Sequence, residues 1–234
     1  KHEQRTYREL ITEPVIFAPT YNRVISHAEL PVVRDELSIT LEIYVSSHSY
    51  KWNTVFCKGR TKKDITPSLW LKPSNSTPIP AVSITGYGKN RFIVNDYELL
   101  LNRWYHIAYT LSEPQKRMNF YIDSKWVSSF NITNQSQFFI FNDGPLYIGS
   151  YFIWDGFTGQ IRNFRYYNFR LSYNEVLMDY SGEDPTKSID DKCPNRFFDG
   201  LSIGIFLGIT ILAGCFLTHR IISRRGYQTI SDAT

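Results

Sequence analysis

The 234-residue chain is poor in the groups on which most enzymes and metal proteins are built. It has three cysteines and no C-x-x-C pair, and none of its five histidines falls in an H-E-x-x-H motif, so the common zinc arrangements are excluded. Basic residues slightly outnumber acidic ones, giving a net charge of +4, but no basic block exceeds a few residues. That excludes the clustered Lys/Arg footprint of a nucleic-acid binder. Glycoside hydrolysis needs two carboxylates facing each other across the sugar, which on a strand means a pattern such as E-x-D-x-E. No such pattern occurs; Glu98, Glu113 and Glu175 stand singly, at a strand edge, in a turn and in a helix cap. No Ser–His–Asp arrangement is suggested, and His106 lies inside an aromatic strand, where it reads as a packed, hydrogen-bonded residue. The glycines of "GFTG", Gly156 to Gly159, have no helix opening behind them and no Lys-Ser/Thr, so they are not a phosphate cradle. The chain is read as non-enzymatic.

Aromatic residues, at 16%, are abundant, with Tyr and Phe dominating. "LSITLEIYV" sets Leu37, Ile39, Leu41, Ile43 and Val45 on one face against Ser38, Thr40, Glu42 and Tyr44, the period of two that defines a strand. "RWYHIAYTL" alternates in the same way, and "RMNFYIDSKWVSSF" reads as a hairpin turning at Asp123-Ser124-Lys125. "NTVFCKG", "PSLWLKP", "PAVSITGYG" and "GPLYIGS" are short strands bounded by Pro or Gly. In "FTGQIRNFRYYN" the apolar parity breaks between Ile161 and Phe164, which predicts a β-bulge near Arg162-Asn163. Ser172 followed by Glu175 is a capping box opening a short helix with Val176 and Leu177 inward. Short strands with turn signals and no helical pattern between them predict an all-β sandwich or barrel. The expected core includes Ile43, Trp104, Ile107, Tyr121, Ile148, Ile161 and Phe164.

Four segments carry a family likeness. "NRWYHIAYTL" resembles a G-x-W-x-H-x-A-x-T strand, "MNFYIDSKWV" an L-x-L-Y-x-D-G-x-x-V hairpin and "PLYIG" a P-L-x-I-G strand. "GFTGQIRNFRYYNFRLSYNEV" resembles an F-x-G-x-I-D-x-V-R-I-Y-N-R-A-L-S-x-x-E-I ending. Together, from about Phe17 to Tyr180, they resemble the concanavalin A-like, laminin-G-like jelly roll. Two departures are Ser124 at the hairpin glycine and Arg162 where the family often has an acid. The resemblance implies two large antiparallel sheets, one of them concave, and a domain that recognises a glycan or a protein. Since some relatives bind calcium through loop oxygens, Asn142, Asp143 and Asp155 are candidate ligands; turn chemistry explains the same residues without metal. Trp52 and Trp154, with Asp155 beside the latter, are candidate ligand contacts, since exposed indoles stack on sugar rings.

One run stands apart. "LSIGIFLGITILAGCFLT", Leu201 to Thr218, is uncharged and about eighteen residues long, the lower end of a membrane-spanning helix. Gly204 and Gly208 form a GxxxG step suited to helix packing. Asn75, Asn131 and Asn134 begin N-x-S/T sequons, all before this run, which favours a lumenal or extracellular N-terminal side. Cys215 lies in the run, leaving Cys57 and Cys193 as an even pair and an expected disulfide. After the run, Tyr227 and Ile230 fit the Y-x-x-Φ sorting pattern, which resembles the tails of lysosome-associated membrane glycoproteins. Lys1 is not a start methionine, so the missing leader is uninformative.

The expected organisation is an N-terminal extension (1–16), a β-sandwich (17–181), a juxtamembrane linker (182–199), a transmembrane helix (200–218) and a cytosolic tail (219–234). The leading functional reading is a membrane-tethered recognition or adhesion module at the plasma membrane or in endolysosomes. The alternative is an accessory subunit of a large membrane assembly, with neighbouring transmembrane subunits as partners and the β-domain as scaffold. Its membrane would then include the mitochondrial inner membrane, with the sequons accidental.

Overall fold

The computed structural model describes residues 4–86 and 90–187. The expected transmembrane helix with Gly204 and Gly208, the tail with Tyr227 and Ile230, and Cys193 and Cys215 lie outside the described residues. Among the described residues no helix is long and apolar enough to cross a membrane.

The described part is a β-sandwich. In chain order the first strands are β1 (Tyr7–Ile11), β2 (Val15–Phe17), β3 (Asn22–Ile25), β4 (Glu36–Ser47) and β5 (Asn53–Lys58). There follow β6 (Ser68–Leu71), β7 (Pro78–Val82), β8 (Arg91–Phe92) and β9 (Trp104–Ser112). The last are β10 (Arg117–Ile122), β11 (Lys125–Asn131), β12 (Leu146–Gly149) and β13 (Thr158–Tyr167), before helix α1 (Tyr173–Tyr180). One sheet has seven strands in the order β1-β13-β4-β9-β10-β11, with β2 also on β13; the other has six, β3-β12-β5-β6-β7-β8. All pairs of strands are antiparallel. The sequence reading put residues 1–16 outside the sandwich; the pairing places β1 and β2 inside its larger sheet.

Alternation fills the core as expected. Leu37, Ile39, Leu41, Ile43 and Val45 of β4 meet Tyr105, Ile107, Tyr109 and Leu111 of β9 between the sheets, with Ile148, Ile161 and Phe164. Burial of this kind, at roughly 25 cal/mol per Å² of apolar surface, is the main force holding the sheets together. Two members of the expected core sit elsewhere. Tyr121 is buried on the outer face of the seven-stranded sheet. Trp104 is only half-buried, because its parity on β9 is opposite to that of Tyr105; it lies 5.5 Å from the Tyr44 ring and under the Arg162 guanidinium.

β13 carries the expected bulge: Arg162 pairs with Glu42 and Arg165 with Thr40, so β13 advances three residues where β4 advances two. Asn163 takes up the extra residue at φ +51°. Arg162, at the family's acidic position, instead donates to Glu42 at 2.7 Å. Gly159 is structural, since a Cβ there would lie 1.9 Å from the Tyr44 carbonyl oxygen. The β10–β11 hairpin turns on Asp123 and Ser124, both left-handed at φ +48° and +60°, as a two-residue turn of this twist requires.

The capping box of α1 is formed: the Glu175 N–H donates to Ser172 Oγ at 3.3 Å and the Ser172 N–H to Glu175 Oε2 at 2.7 Å. Val176 is fully buried, but Leu177 is 42% exposed. The inward neighbour is instead Asp179, one helical turn from Val176, which places both on the face laid against the sheet.

Candidate functional site

The six-stranded sheet has a second apolar layer on its outer face. On β6, Leu69 and Leu71 point into the core, so Trp70 points outward. Ile79 and Ala81 of β7 and Cys57 of β5 join it there, covered by Ile65 and Tyr151 from flanking loops. The 150–155 loop is folded onto this layer by a tight turn in which Tyr151 and Trp154 exchange backbone hydrogen bonds at 3.0 and 2.9 Å. Tyr151 is buried, stacked at 5° on the Trp154 ring, and donates its hydroxyl to the Thr61 carbonyl at 3.0 Å. Burial raises its pKa far above that of an ordinary tyrosine, so it stays a neutral donor. Trp154 then meets Trp70 edge-on at 5.2 Å, and Phe92 lies 6.0 Å from Trp70 and 6.4 Å from Trp52.

These rings line a cleft of about 750 Å³ with Val94, Asn90, Lys62 and Lys72. Among the described residues lining it none is acidic. Lys62 holds its ammonium 5.4 Å from the Trp154 ring centroid. Asn90 fixes the adjoining loop by donating to the Lys62 carbonyl at 2.9 Å. Of the three tryptophans, only Trp70 has its indole N–H bonded within the described residues, to Ser68 Oγ at 3.2 Å.

The two expected ligand contacts, Trp52 and Trp154, are therefore brought to one place from loops about a hundred residues apart. Asp155 is not in the cleft; its carboxylate meets Lys51 at 3.5 Å, while its carbonyl accepts the Thr54 N–H at 2.9 Å. Trp70, Phe92 and Lys62 are site residues that sequence reasoning missed. Trp70 was accessible through the parity of "SLWL", whereas Phe92 belongs to a two-residue strand with no pattern to read.

The candidate calcium ligands do not fit a metal. Asn142 and Asp143 sit at the Lys58 end of β5 and Asp155 at the Thr54 end, about 13 Å apart along a strand. Lys58 Nζ donates to the carbonyl and side chain of Asn142, and Arg60 pairs with Asp143 at 2.9 Å, so cations of the protein already occupy these oxygens. Burial lowers the Lys58 pKa to about 8, partly offset by Asp143 and Asp64. Among the described residues no three His, Cys, Asp or Glu side chains converge.

Cys57 is a free, fully buried thiol in the layer under Tyr151, and burial pushes its pKa up. The expected disulfide is not supported: this parity aims the sulfur into packed side chains, and Cys193 lies outside the described residues. The sequons differ in access. Asn75 donates to Glu98 at 2.6 Å and accepts from the buried Thr77 at 3.1 Å, so both key groups of that sequon are engaged. Asn131 ends β11 exposed, and exposed Asn134 accepts from Ser136 in a short turn.

On the opposite outer face, that of the seven-stranded sheet, α1 covers an apolar patch that includes Ala108, Tyr121, Tyr167 and Leu171. Asp179 Oδ1 accepts from Arg165 at 2.7 Å and Tyr167 at 2.6 Å, and Oδ2 accepts from His106 Nε2 at 2.9 Å. Burial alone would raise the Asp179 pKa, but the His106 bond, then Tyr167 and Arg165, outweigh it and hold the carboxylate below its ordinary value. His106 is thus the packed, bonded residue expected from the sequence, with its Nδ1 left without a partner.

The laminin G-type family described as the concanavalin A-like lectin/glucanases superfamily matches residues 20–177. The chain belongs to this superfamily. The jelly-roll architecture expected from the sequence is what the two antiparallel sheets form. Similar solved structures include the botulinum neurotoxin serotype D binding domain, at 16% identity and TM-score 0.56, covering 76% of this chain and 46% of that one. The serotype D ligand-binding domain in complex with N-acetylneuraminic acid gives the same four values. The receptor-binding domain of botulinum neurotoxin D, at 16% identity and TM-score 0.56, is covered to 48% and covers 76% of this chain. The chain thus spans less than half the length of these domains, and at such identity the likeness is one of fold. No curated protein sequence matches the chain.

Proposed function

We propose that the domain is a non-catalytic recognition module that binds a saccharide in the tryptophan cleft. The observation that carries this reading is the convergence of Trp52, Trp70 and Trp154 on one open cleft of about 750 Å³. A pyranose ring presents an apolar C–H face that stacks on an indole, while its hydroxyls accept from indole N–H groups and water. No carboxylate lines the cleft among the described residues, so the acid–base pair of glycoside hydrolysis has no counterpart there. The fold neighbours include a ligand-binding domain in complex with N-acetylneuraminic acid, which is consistent with sugar recognition on this architecture. The apolar segment 201–218 would tether the module to a membrane with the domain lumenal or extracellular.

Tryptophan fluorescence of the full chain, titrated with a panel of oligosaccharides, tests the site. At least one saccharide should shift the emission, and Trp154→Ala should weaken its binding tenfold or more, as loss of one stacking platform of about 1.5 kcal/mol implies. EDTA should leave the affinity unchanged, since Lys58 and Arg60 occupy the oxygens a calcium ion would need. A panel without effect on the wild-type chain, alongside binding of a protein partner, would replace the saccharide reading.

A further inference from the structure

The cleft is apolar at its base and cationic at its walls. Lys62 reaches over the Trp154 ring, and Lys72 directly follows β6 with the parity of Trp70, both exposed. Neither ammonium has a carboxylate partner within the described residues, whereas the nearby Lys51 is paired with Asp155. Arg60, also close in sequence, is likewise paired, with Asp143. The two lysines that line the cleft are thus uncommitted among the described residues, unlike Lys51 and Arg60. A neutral sugar would satisfy the indoles and leave both charges idle. A sugar carrying a carboxylate or sulfate would satisfy all of them: its ring face on Trp154 or Trp52, its anion between Lys62 and Lys72.

Resting on the saccharide reading above, we infer that the cleft selects acidic saccharides, with Trp154 as the ring platform and Lys62 and Lys72 as the anion clamp. The shared chemistry is a pyranose with a negative group at its edge. Carboxylated and sulfated sugars are both sources of it. A lysine is a point charge rather than a planar fork, so the clamp discriminates charge more than the shape of the anion.

The test titrates the full chain with 3′-sialyllactose, a sulfated lactose and lactose itself, reading tryptophan fluorescence and the salt dependence of affinity. The acidic sugars should bind about tenfold tighter than lactose at low salt, with the gap narrowing as ionic strength rises. Lys62→Gln and Lys72→Gln should each narrow the ratio of acidic-sugar to lactose affinity, both sugars being measured on the same variant. Both lysines are exposed, and circular dichroism of the variants verifies the fold. A carboxylate preference without a sulfate preference would assign the anion to sialylated or uronic sugars, and the reverse to sulfated ones. Equal binding of lactose and the acidic sugars, still lost in Trp154→Ala, would overturn the charge selection and keep the saccharide site. Silence of all three sugars would overturn both readings.

Discussion

On the outer face of the seven-stranded sheet lies α1, whose Asp179 carboxylate accepts from His106, Arg165 and Tyr167 of the strands beneath. On the six-stranded sheet, Trp70, Trp154 and Trp52 line a cleft open to solvent, with two lysines at its walls. Both faces are rich in aromatic and polar groups. They differ in whether the polar groups find partners inside the chain. Where Asp179 has three donors, the patch beneath α1 is closed and structural. Where two indole N–H groups and two ammonium groups have none among the described residues, the face is available to a ligand. The pairing of charged groups within the chain, more than composition, separates the patch around Asp179 from the candidate site.

The sharpest way to break the contrast is to open the closed face. Asp179→Ala leaves Arg165, His106 and Tyr167 without their acceptor beneath α1, which should cost about 3–5 kcal/mol in urea unfolding. Its pH dependence provides a second reading. The Asp179 carboxylate is held below its ordinary value near 3.8, so its stabilisation is complete above the unfolded value and is lost as pH falls through the folded one. The variant should lack that acid-side loss. A variant as stable as the wild type would show that the helix, and not the network, closes this face.

The next effect is smaller and belongs to the other sheet. Lys58, buried at the end of β5, has its pKa lowered to about 8, so between pH 8 and 10 the unfolded chain binds more protons than the folded one. Stability should rise over that window, by less than about 1.4 kcal/mol per pH unit. Above pH 10 buried Tyr109, Tyr166 and Tyr167, whose pKa values are pushed up by burial, should reverse the trend. Lys58→Met should flatten the rise, measured by denaturant midpoints across the range.

The smallest effect sharpens the contrast from the open side. Trp52 is 42% exposed, with its ring centroid 6.4 Å from that of Phe92. Trp52→Ala should change stability by under about 1 kcal/mol while reducing saccharide affinity severalfold. A large loss of stability with unchanged binding would mean that Trp52 covers the sheet edge instead of serving the cleft.

Much of the sandwich was legible because the signals are local. The period of β4, the turn at Asp123-Ser124, the break at Arg162-Asn163 and the Ser172/Glu175 box each depend on a few adjacent residues, and each formed. The site was half legible. Trp52 and Trp154 were visible as loop indoles, but their convergence depends on the pairing of β5 with β6 and on the turn at Tyr151. The calcium candidates do not fit a metal for a related reason: Lys58, which donates to the Asn142 oxygens, and Arg60, which pairs with Asp143, lie more than eighty residues earlier in the chain. Leu177 was assigned inward from its apolar character, yet the helix turned Asp179 to the sheet because three donors waited there.

The place of β13 bears on how this domain comes to exist at all. Among the described residues it is the last strand in sequence, yet it lies between β1 and β4 and also receives β2. A chain emerging from the ribosome therefore carries β1 and β2 with no sheet partner until Tyr167 has been made. Strands β4, β9, β10 and β11 pair with one another without β13, but β1 and β2 join the larger sheet only through this strand, so the sheet is completed only when almost the whole domain has been made. Such non-local closure is intrinsically slow, and it leaves the Tyr7–Phe17 region exposed throughout synthesis. Truncation anywhere before Tyr167 would remove the strand that unites the sheet, so the unit of folding extends at least from Tyr7 through that residue.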